Sequence, residues 1–329
     1  MYLILFITLV FIQICYFRLA DYFKIIDKPN ERSSHNRTTF RGGGITFSIA
    51  ALLWFVIYGF HDQLMILGLL LLAVISFLDD LLTLSSKIRI IAHLFGVSLM
   101  FAQTGLFVMP WYILPIAYIL TIGWINAFNF MDGINGITPF YCLVSLMTFL
   151  FLNQKISFTP NELIFILLLS VIVFGFFNAR KHAKCFAGDV GSVSMAYLLA
   201  YLMIGIMVKT GKWEYIVMFG VYAVDSVLTI VHRLHNRENI FQAHRTHLFQ
   251  YLSNELRWPH VLVSTLYATL QLLINIGLIL VLKFNPQISF GYVFVSLVVL
   301  SSLYIWLKNY ILVRIKISKD FTTRKEIEY

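Results

Sequence analysis

Four short polar stretches hold most of the residues able to do chemistry. In "FLDDLLTLSSKIRI", Asp79 and Asp80 are adjacent carboxylates at the end of an apolar run. Side by side they repel each other, and at a helix C-terminus the dipole also disfavours them. A cation or a basic substrate group would relieve both problems, as would solvation of a helix end. Lys87 and Arg89 follow, suited to a phosphate or to marking one membrane face. In "NFMDGINGI", Asn129, Asp132 and Asn135 recur every three residues, a spacing that puts them near one face of a helix. The glycines argue instead for a break that lets backbone approach a ligand. A turn in which Asp132 caps the next helix is the simpler alternative.

In "KCFAGDVGSVSM", Asp189 stands just before an apolar run, with Ser192 suited to the N-cap. The free N–H groups of a helix start bind anions. An acid beside such a site fits a divalent ion, since Mg2+ is held by one or two carboxylates plus substrate phosphates. Cys185 reads as packing rather than as a nucleophile. "HRLHNRENIFQAHRTHLFQYL" is the richest stretch and contains Arg233, His244, Arg245 and His247. His244 and His247 share a face if the segment is helical. A basic cluster opposite three acidic stretches suits a pyrophosphate, whereas any single His there reads as a solvated loop residue. HExxH zinc spacing is absent. Gly42, Gly43 and Gly44 follow Arg41, which fits either close backbone approach to an anion or a flexible turn.

The elements that must position these residues are membrane spans. The chain has 329 residues, 59% hydrophobic and 12% charged, where soluble domains carry about 25% charged residues. Apolar runs of about 17–25 residues, long enough to cross a bilayer, recur throughout. The expectation is an all-α, polytopic integral membrane protein forming one domain over residues 1–329, with 10–11 transmembrane helices. Eleven spans are read at 2–20, 44–60, 64–78, 88–101, 111–128, 137–152, 162–177, 192–208, 214–231, 261–282 and 290–307, the third and fourth short. The first lacks a basic start and a small-residue cleavage site, so it reads as a retained helix and not a signal peptide. Of the 25 Lys and Arg, 20 fall in one alternating set of loops plus the tail from 308, and 4 in the opposite set. The positive-inside rule then puts the first set in the cytoplasm, the N-terminus outside and the C-terminus inside. The net charge of +9 reads as topology and contact with membrane lipid, with no nucleic acid as partner.

The four stretches, in this order and on one face, resemble the polyprenyl-phosphate N-acetylhexosamine-1-phosphate transferases, glycosyltransferase family 4. They supply an Asp-Asp pair, an Asn-x-x-Asp-Gly-x-Asn-Gly loop, a Phe-x-Gly-Asp-x-Gly-Ser loop and a late His/Arg loop. The stretches "SSHNRTTFRGGG" and "AHRTHLFQ" look most like the branch that begins O-antigen or capsule units. The resemblance implies transfer of N-acetylhexosamine-1-phosphate, a 6-deoxy sugar included, from a UDP-sugar to undecaprenyl phosphate with release of UMP. It implies Mg2+ held by Asp189 and Asn129, with Mn2+ able to substitute. It also implies Asp79, Asp80, Asp132 and His247 as catalytic residues. Asn135 would meet the uracil, and Asn178, Lys184, Arg233, Arg245 and His244 would bind substrate. The expected setting is the bacterial inner membrane with a cytoplasmic-face site, and a homodimer is a permitted assembly. His244 stands where many relatives have Asp, Phe249 replaces a His and His182 a Pro, changes that leave the donor sugar open. The competing reading is a secondary transporter of an anionic substrate, which would bind near the midplane with intramembrane charges and repeat symmetry.

Overall fold

The computed structural model describes residues 1–27, 38–239 and 245–327, with side chains as far as Ile315. Hydrocarbon cannot satisfy a backbone N–H or C=O, so a spanning segment must pair them internally as helix. Helices accordingly form at all eleven expected spans: α1 Tyr2–Tyr22, α2 Ile45–Ile57, α3 Gln63–Leu82, α4 Ser86–Thr104, α5 Ile113–Met131, α6 Ile137–Ile156, α7 Asn161–Asn178, α8 Gly188–Thr210, α9 Gly220–His235, α10 Leu248–Gln250, α11 His260–Phe284 and α12 Ser289–Ile327. Of these, α10 is a single turn outside the spans. A 3₁₀ segment, Trp213–Phe219, leads into α9. Among the described residues nine helical segments are long and apolar enough to cross a membrane. The other two expected spans fall short for different reasons. The 13 residues of α2 reach only about 20 Å, and α4 carries Lys87, Arg89 and His93.

The all-α expectation holds, with one two-residue strand pair added, Ile26–Asp27 (β1) antiparallel to Thr39–Phe40 (β2). Two expectations are corrected here. The third and fourth spans are not short, because α3 and α4 have 20 and 19 residues and run on through their polar ends. Lys308 is no tail residue, for it lies within α12 and is 3% exposed.

The scaffold is centred on α8, which is buried over 89% of its spanning window and touches α2, α3, α4, α5 and α6. Its Gly191, Ser192, Ser194, Ala196 and Ala200 let neighbouring backbones come close, the usual means of helix association in lipid. Polar pairs then fix the register. Ser48 Oγ donates to Ser194 Oγ at 2.8 Å, and Trp124 Nε1 donates to the Ala196 carbonyl at 3.0 Å. A buried amide network joins α6 to α11: Tyr141 OH donates to Gln271 Oε1 at 2.9 Å, and Asn275 Nδ2 donates to Thr148 Oγ1 at 2.9 Å. Large apolar side chains such as Ile119, Phe176 and Trp306 point outward, where lipid covers them.

Candidate active site

The site forms where the end of α3, the end of α5 and the start of α8 meet. Asp80 turns inward from the last turn of α3 and its side chain has no exposure. Its two oxygens accept the backbone N–H groups of Asp189 and Val190 at 3.0 and 3.1 Å. The anion at this helix start is therefore the protein's own carboxylate, and the expectation of a helix end left open for a ligand is corrected. Ser192 is likewise not the N-cap, because α8 begins at Gly188 with Ala187 in that place. The Ser192 hydroxyl instead lies one turn in, 2.7 Å from Asn129 Oδ1 and 3.0 Å from the Gly188 carbonyl.

Asp79 and Asp80 diverge. Asp79 takes Arg89 Nη1 at 3.1 Å and the Leu84 N–H, closing the end of α3. Arg41 answers Asp80, with Nε 2.7 Å from Oδ1, and reaches toward Asp189 with Nη2 at 3.8 Å. Burial works against the Arg41 charge, yet Asp80, Asp189 and Asp27 outweigh it and push its pKa above the ordinary arginine value. Asp189 sits in the first turn of α8, where the dipole favours an acid. Its side chain is 22% exposed, against none for Asp80, so it is the more reachable of the two carboxylates. Asp79 and Asp80 both act on its charge. Three acids thus share one locus, with the Arg41 guanidinium between Asp80 and Asp189 and that of Arg89 on Asp79.

Arg41 is held there by the glycines that follow it. Gly43 and Gly44 donate their N–H groups to the Phe186 and Ala187 carbonyls, at 2.8 and 3.1 Å. A Cβ on Gly44 would lie 2.5 Å from Gly191 Cα. The glycines serve close approach of the α2 start to the α8 start, not to an anion. Cys185 is buried against Gly43, as packing.

Between α5 and α6 the chain breaks at Asp132, so Asn129, Asp132 and Asn135 do not share a helical face. The Asp132 carboxylate accepts the Thr138 hydroxyl from the first turn of α6, while the cap position itself is Gly136. Burial, reinforced by the nearby Asp80 charge, lifts its carboxyl to about 6 against the Thr138 bond. Asn135 and Asn178 brace this loop. Asn135 Nδ2 donates to the Arg180 carbonyl at 2.7 Å, Asn178 Oδ1 accepts the Gly136 N–H at 2.8 Å, and Asn178 Nδ2 donates to the Cys185 carbonyl at 2.9 Å. The Asn178 amide is thereby engaged on both sides within the chain. Lys184 lies over the rings of Phe17 and Phe177, at 5.3 and 5.8 Å.

The late basic stretch is not one helix. His247 is the N-cap of α10; the face it was expected to share with His244 involves a residue outside the described ones. His247 is buried, its Nδ1 3.1 Å from Asp225 Oδ1. Its ring stacks on Phe249, and Phe249 in turn lies against Gly133 of the Asp132 loop. Arg245 is exposed beside it. Arg233 is buried, donating from Nε to Glu238 at 2.9 Å and from Nη2 to the Asn239 carbonyl at 2.7 Å. The structure therefore gathers Asp79, Asp80, Asp189, Asn129 and Asp132 at one locus, with His247 behind the Asp132 loop. Arg233 and Lys184 hold folded loops. Sequence reasoning missed Asp225, although a lone acid in the apolar run "VYAVDSVLTI" is itself a functional signal.

Among the described residues no group of three or more His, Cys, Asp or Glu is arranged to hold a metal by itself. A cation at Asp189 would complete its oxygens from a bound ligand, the manner usual for Mg2+. Asn129 Oδ1 is set toward the same turn of α8 by Ser192. The donor set is all oxygen, which suits a hard divalent ion.

Fold and site define a multi-pass helical membrane protein whose acids converge at adjoining helix ends. Its residues 63–207 match the family model described as Glycosyl transferase family 4. It is 25% identical over 258 residues, 70% of each chain, to the probable undecaprenyl-phosphate N-acetylglucosaminyl 1-phosphate transferase of Bacillus subtilis (strain 168). It is also 27% identical over 236 residues to the phospho-N-acetylmuramoyl-pentapeptide-transferase of Thermotoga neapolitana, a match covering 65% of this chain and 76% of that one.

Proposed function

We propose that the protein transfers N-acetylhexosamine-1-phosphate from a UDP-sugar to undecaprenyl phosphate, releasing UMP and starting a lipid-linked cell-envelope glycan of the O-antigen or capsule type. The observation that carries this reading is the convergence of Asp80 and Asp189 on Arg41, with Asp79 acting on Asp189 and Asn129 bound to Ser192 one turn into α8, all at adjoining helix ends. The names of the two relatives support the substrate classes. The Lys/Arg asymmetry supports a cytoplasmic site, an outside N-terminus and an inside C-terminus in a bacterial inner membrane.

In this reading an oxygen of the acceptor phosphate attacks the sugar-linked phosphorus of the donor. That P–O bond forms while the bond to the bridging oxygen breaks, and UMP carries the electron pair away. Phosphoryl transfer of this kind needs positioning and charge neutralisation more than a strong base. Mg2+, bound by Asp189 with Asn129, would supply the charge that offsets the bridging oxygen as it leaves. Asp80 keeps the start of α8 in place and so fixes where Asp189 points. Asp79, tied to the half-exposed Arg89, is the member of the pair that can meet the acceptor. Asp132, after α5, and His247, at the start of α10, complete the set.

The test is to incubate purified protein with uridine-labelled UDP-N-acetylhexosamine and undecaprenyl phosphate and to separate the nucleotides. UMP as product is expected. UDP alone would mean attack at the anomeric carbon and end the phosphotransferase reading. No turnover with any UDP-sugar would favour transport of an anionic substrate instead.

A further inference from the structure

Lys308 is a lysine buried in a transmembrane helix, and nothing so far explains it. An ionisable group at membrane depth is costly and keeps its charge only with a partner. Its Nζ lies 2.8 Å from the Tyr304 hydroxyl, one turn back on α12. The Tyr304 hydroxyl lies 2.8 Å from Thr229 Oγ1 on α9. Thr229 Oγ1 lies 3.2 Å from Asp225 Oδ1, and Asp225 Oδ1 lies 3.1 Å from His247 Nδ1. All five residues are at most 5% exposed.

The donor sense along this chain follows from its two ends. Asp225 also accepts the Leu248 N–H at 3.2 Å and the Tyr267 hydroxyl at 2.6 Å. A carboxylate fed by so many donors is ionised and can only accept. Thr229 must then donate to Asp225, so its oxygen accepts the Tyr304 hydroxyl hydrogen. Tyr304 in turn accepts from Lys308, whose ammonium can only donate. Every hydrogen points from Lys308 toward Asp225. The arrangement is an ion pair stretched across two hydroxyls, and such chains polarise cooperatively in a low dielectric.

We propose that Lys308 is the counter-ion of Asp225, acting through Tyr304 and Thr229, and that this keeps His247 neutral with its hydrogen on Nδ1. With the Asp225 charge already balanced, the imidazole need not gain a proton to balance it. The Nε2 nitrogen then stays the lone-pair side of the ring. Other charged or titratable groups around the chain are Tyr222, His232 and Arg233 on α9, Glu238 beyond it, Tyr251 after α10, and Tyr267 on α11. Lys308 is a positioning residue and touches no substrate. Its effect on turnover rests on the transferase reading above; its effect on the His247 ring does not.

The experiment is nitrogen-15 NMR of histidine-labelled protein in detergent at neutral pH, with the His247 signals assigned by difference from His247→Gln. In the wild type we expect one protonated and one lone-pair ring nitrogen. In Lys308→Met both nitrogens should move to the values of a doubly protonated ring, and Lys308→Arg should restore the wild-type pattern. Tyr304→Phe removes a single oxygen and should give the same change as Lys308→Met, which keeps the test open if the latter does not fold. Turnover in Lys308→Met should fall about 10- to 100-fold, the usual range for lost supporting partners, in kcat rather than KM. An unaltered His247 ring in folded Lys308→Met or Tyr304→Phe overturns the proposal. Wild-type protein inert toward every UDP-sugar but showing the ring change would sink the transferase reading and leave the relay standing.

Discussion

Asp79→Ala and Asp80→Ala are adjacent truncations that should behave as different kinds of variant. Removing the Asp80 carboxylate strips two N–H groups at the start of α8 of their acceptor and takes the closer partner from Arg41. Each hydrogen bond to a charged acceptor is worth about 1.5–3 kcal/mol. The Arg41 side chain is 37% exposed, so losing that pair adds only about 1 kcal/mol. Water can reach part of the freed helix end, which brings the expected local cost to about 3–5 kcal/mol. Asp79→Ala frees one N–H and a guanidinium that is 43% exposed, for a cost of about 1–2 kcal/mol. Cys185 reports the difference, because it is buried three residues before α8 and against Gly43. If local opening limits thiol labelling, a gap of about 2 kcal/mol means roughly 30-fold faster labelling of Cys185 in Asp80→Ala than in Asp79→Ala. Labelling would be followed by mass spectrometry of the Cys185 peptide in detergent-solubilised protein. Asp79→Ala should lose turnover with Cys185 still protected. Equal labelling rates in the two variants, or wild-type protection in Asp80→Ala, would refute the capping role.

Burial holds the Asp132 carboxyl up at about 6, so turnover that needs its carboxylate should fall as pH drops below that value, and Asp132→Asn should be slow at every pH with no such limb. Because this pKa is raised, the stabilising contribution is full below the ordinary carboxylate range and is lost as pH rises through about 6, so the wild type should gain thermal stability on acidification by an amount that Asp132→Asn abolishes. Asp189→Asn should insert normally and lose most activity; chelation should silence the wild type, Mg2+ or Mn2+ should revive it, and full turnover in excess chelator would exclude the metal. Gly44→Ala should cost about 1–3 kcal/mol by pushing α2 off α8, read as faster Cys185 labelling, since the added carbon would fall 2.5 Å from Gly191 Cα. Reporter fusions at Lys155 and Arg237 should give opposite signals, and matching signals would break the proposed topology.

The sequence by itself determined the helices and the choice of polar stretches. In lipid the backbone has no other partner, so an apolar run of sufficient length must be helix, and all eleven runs became helices whose edges moved by a few residues, except that α12 runs on to Ile327. It also marked Asp79, Asp80, Asn129, Asp132 and Asp189, because acids and amides are conspicuous in so apolar a chain. What each of them does was decided by contacts across long separations. Asp80 meets α8 at 109 residues' distance, which converts one of two identical neighbours into a helix cap while the other pairs with Arg89 and the Leu84 N–H. Local spacing suggested a face shared by Asn129, Asp132 and Asn135, and packing of α6 against α7 replaced it with a braced loop. The glycines after Arg41 looked made for an anion until the α8 backbone occupied that space. Asp225 and Lys308 lie 83 residues apart, the first in a run that reads as plain membrane helix and the second at the head of what reads as a tail, and become one hydrogen-bonded chain only when α9 packs on α12. Periodicity and hydropathy report what a residue is and which solvent its segment needs; which other residue shares its hydrogen bond is fixed only by tertiary packing.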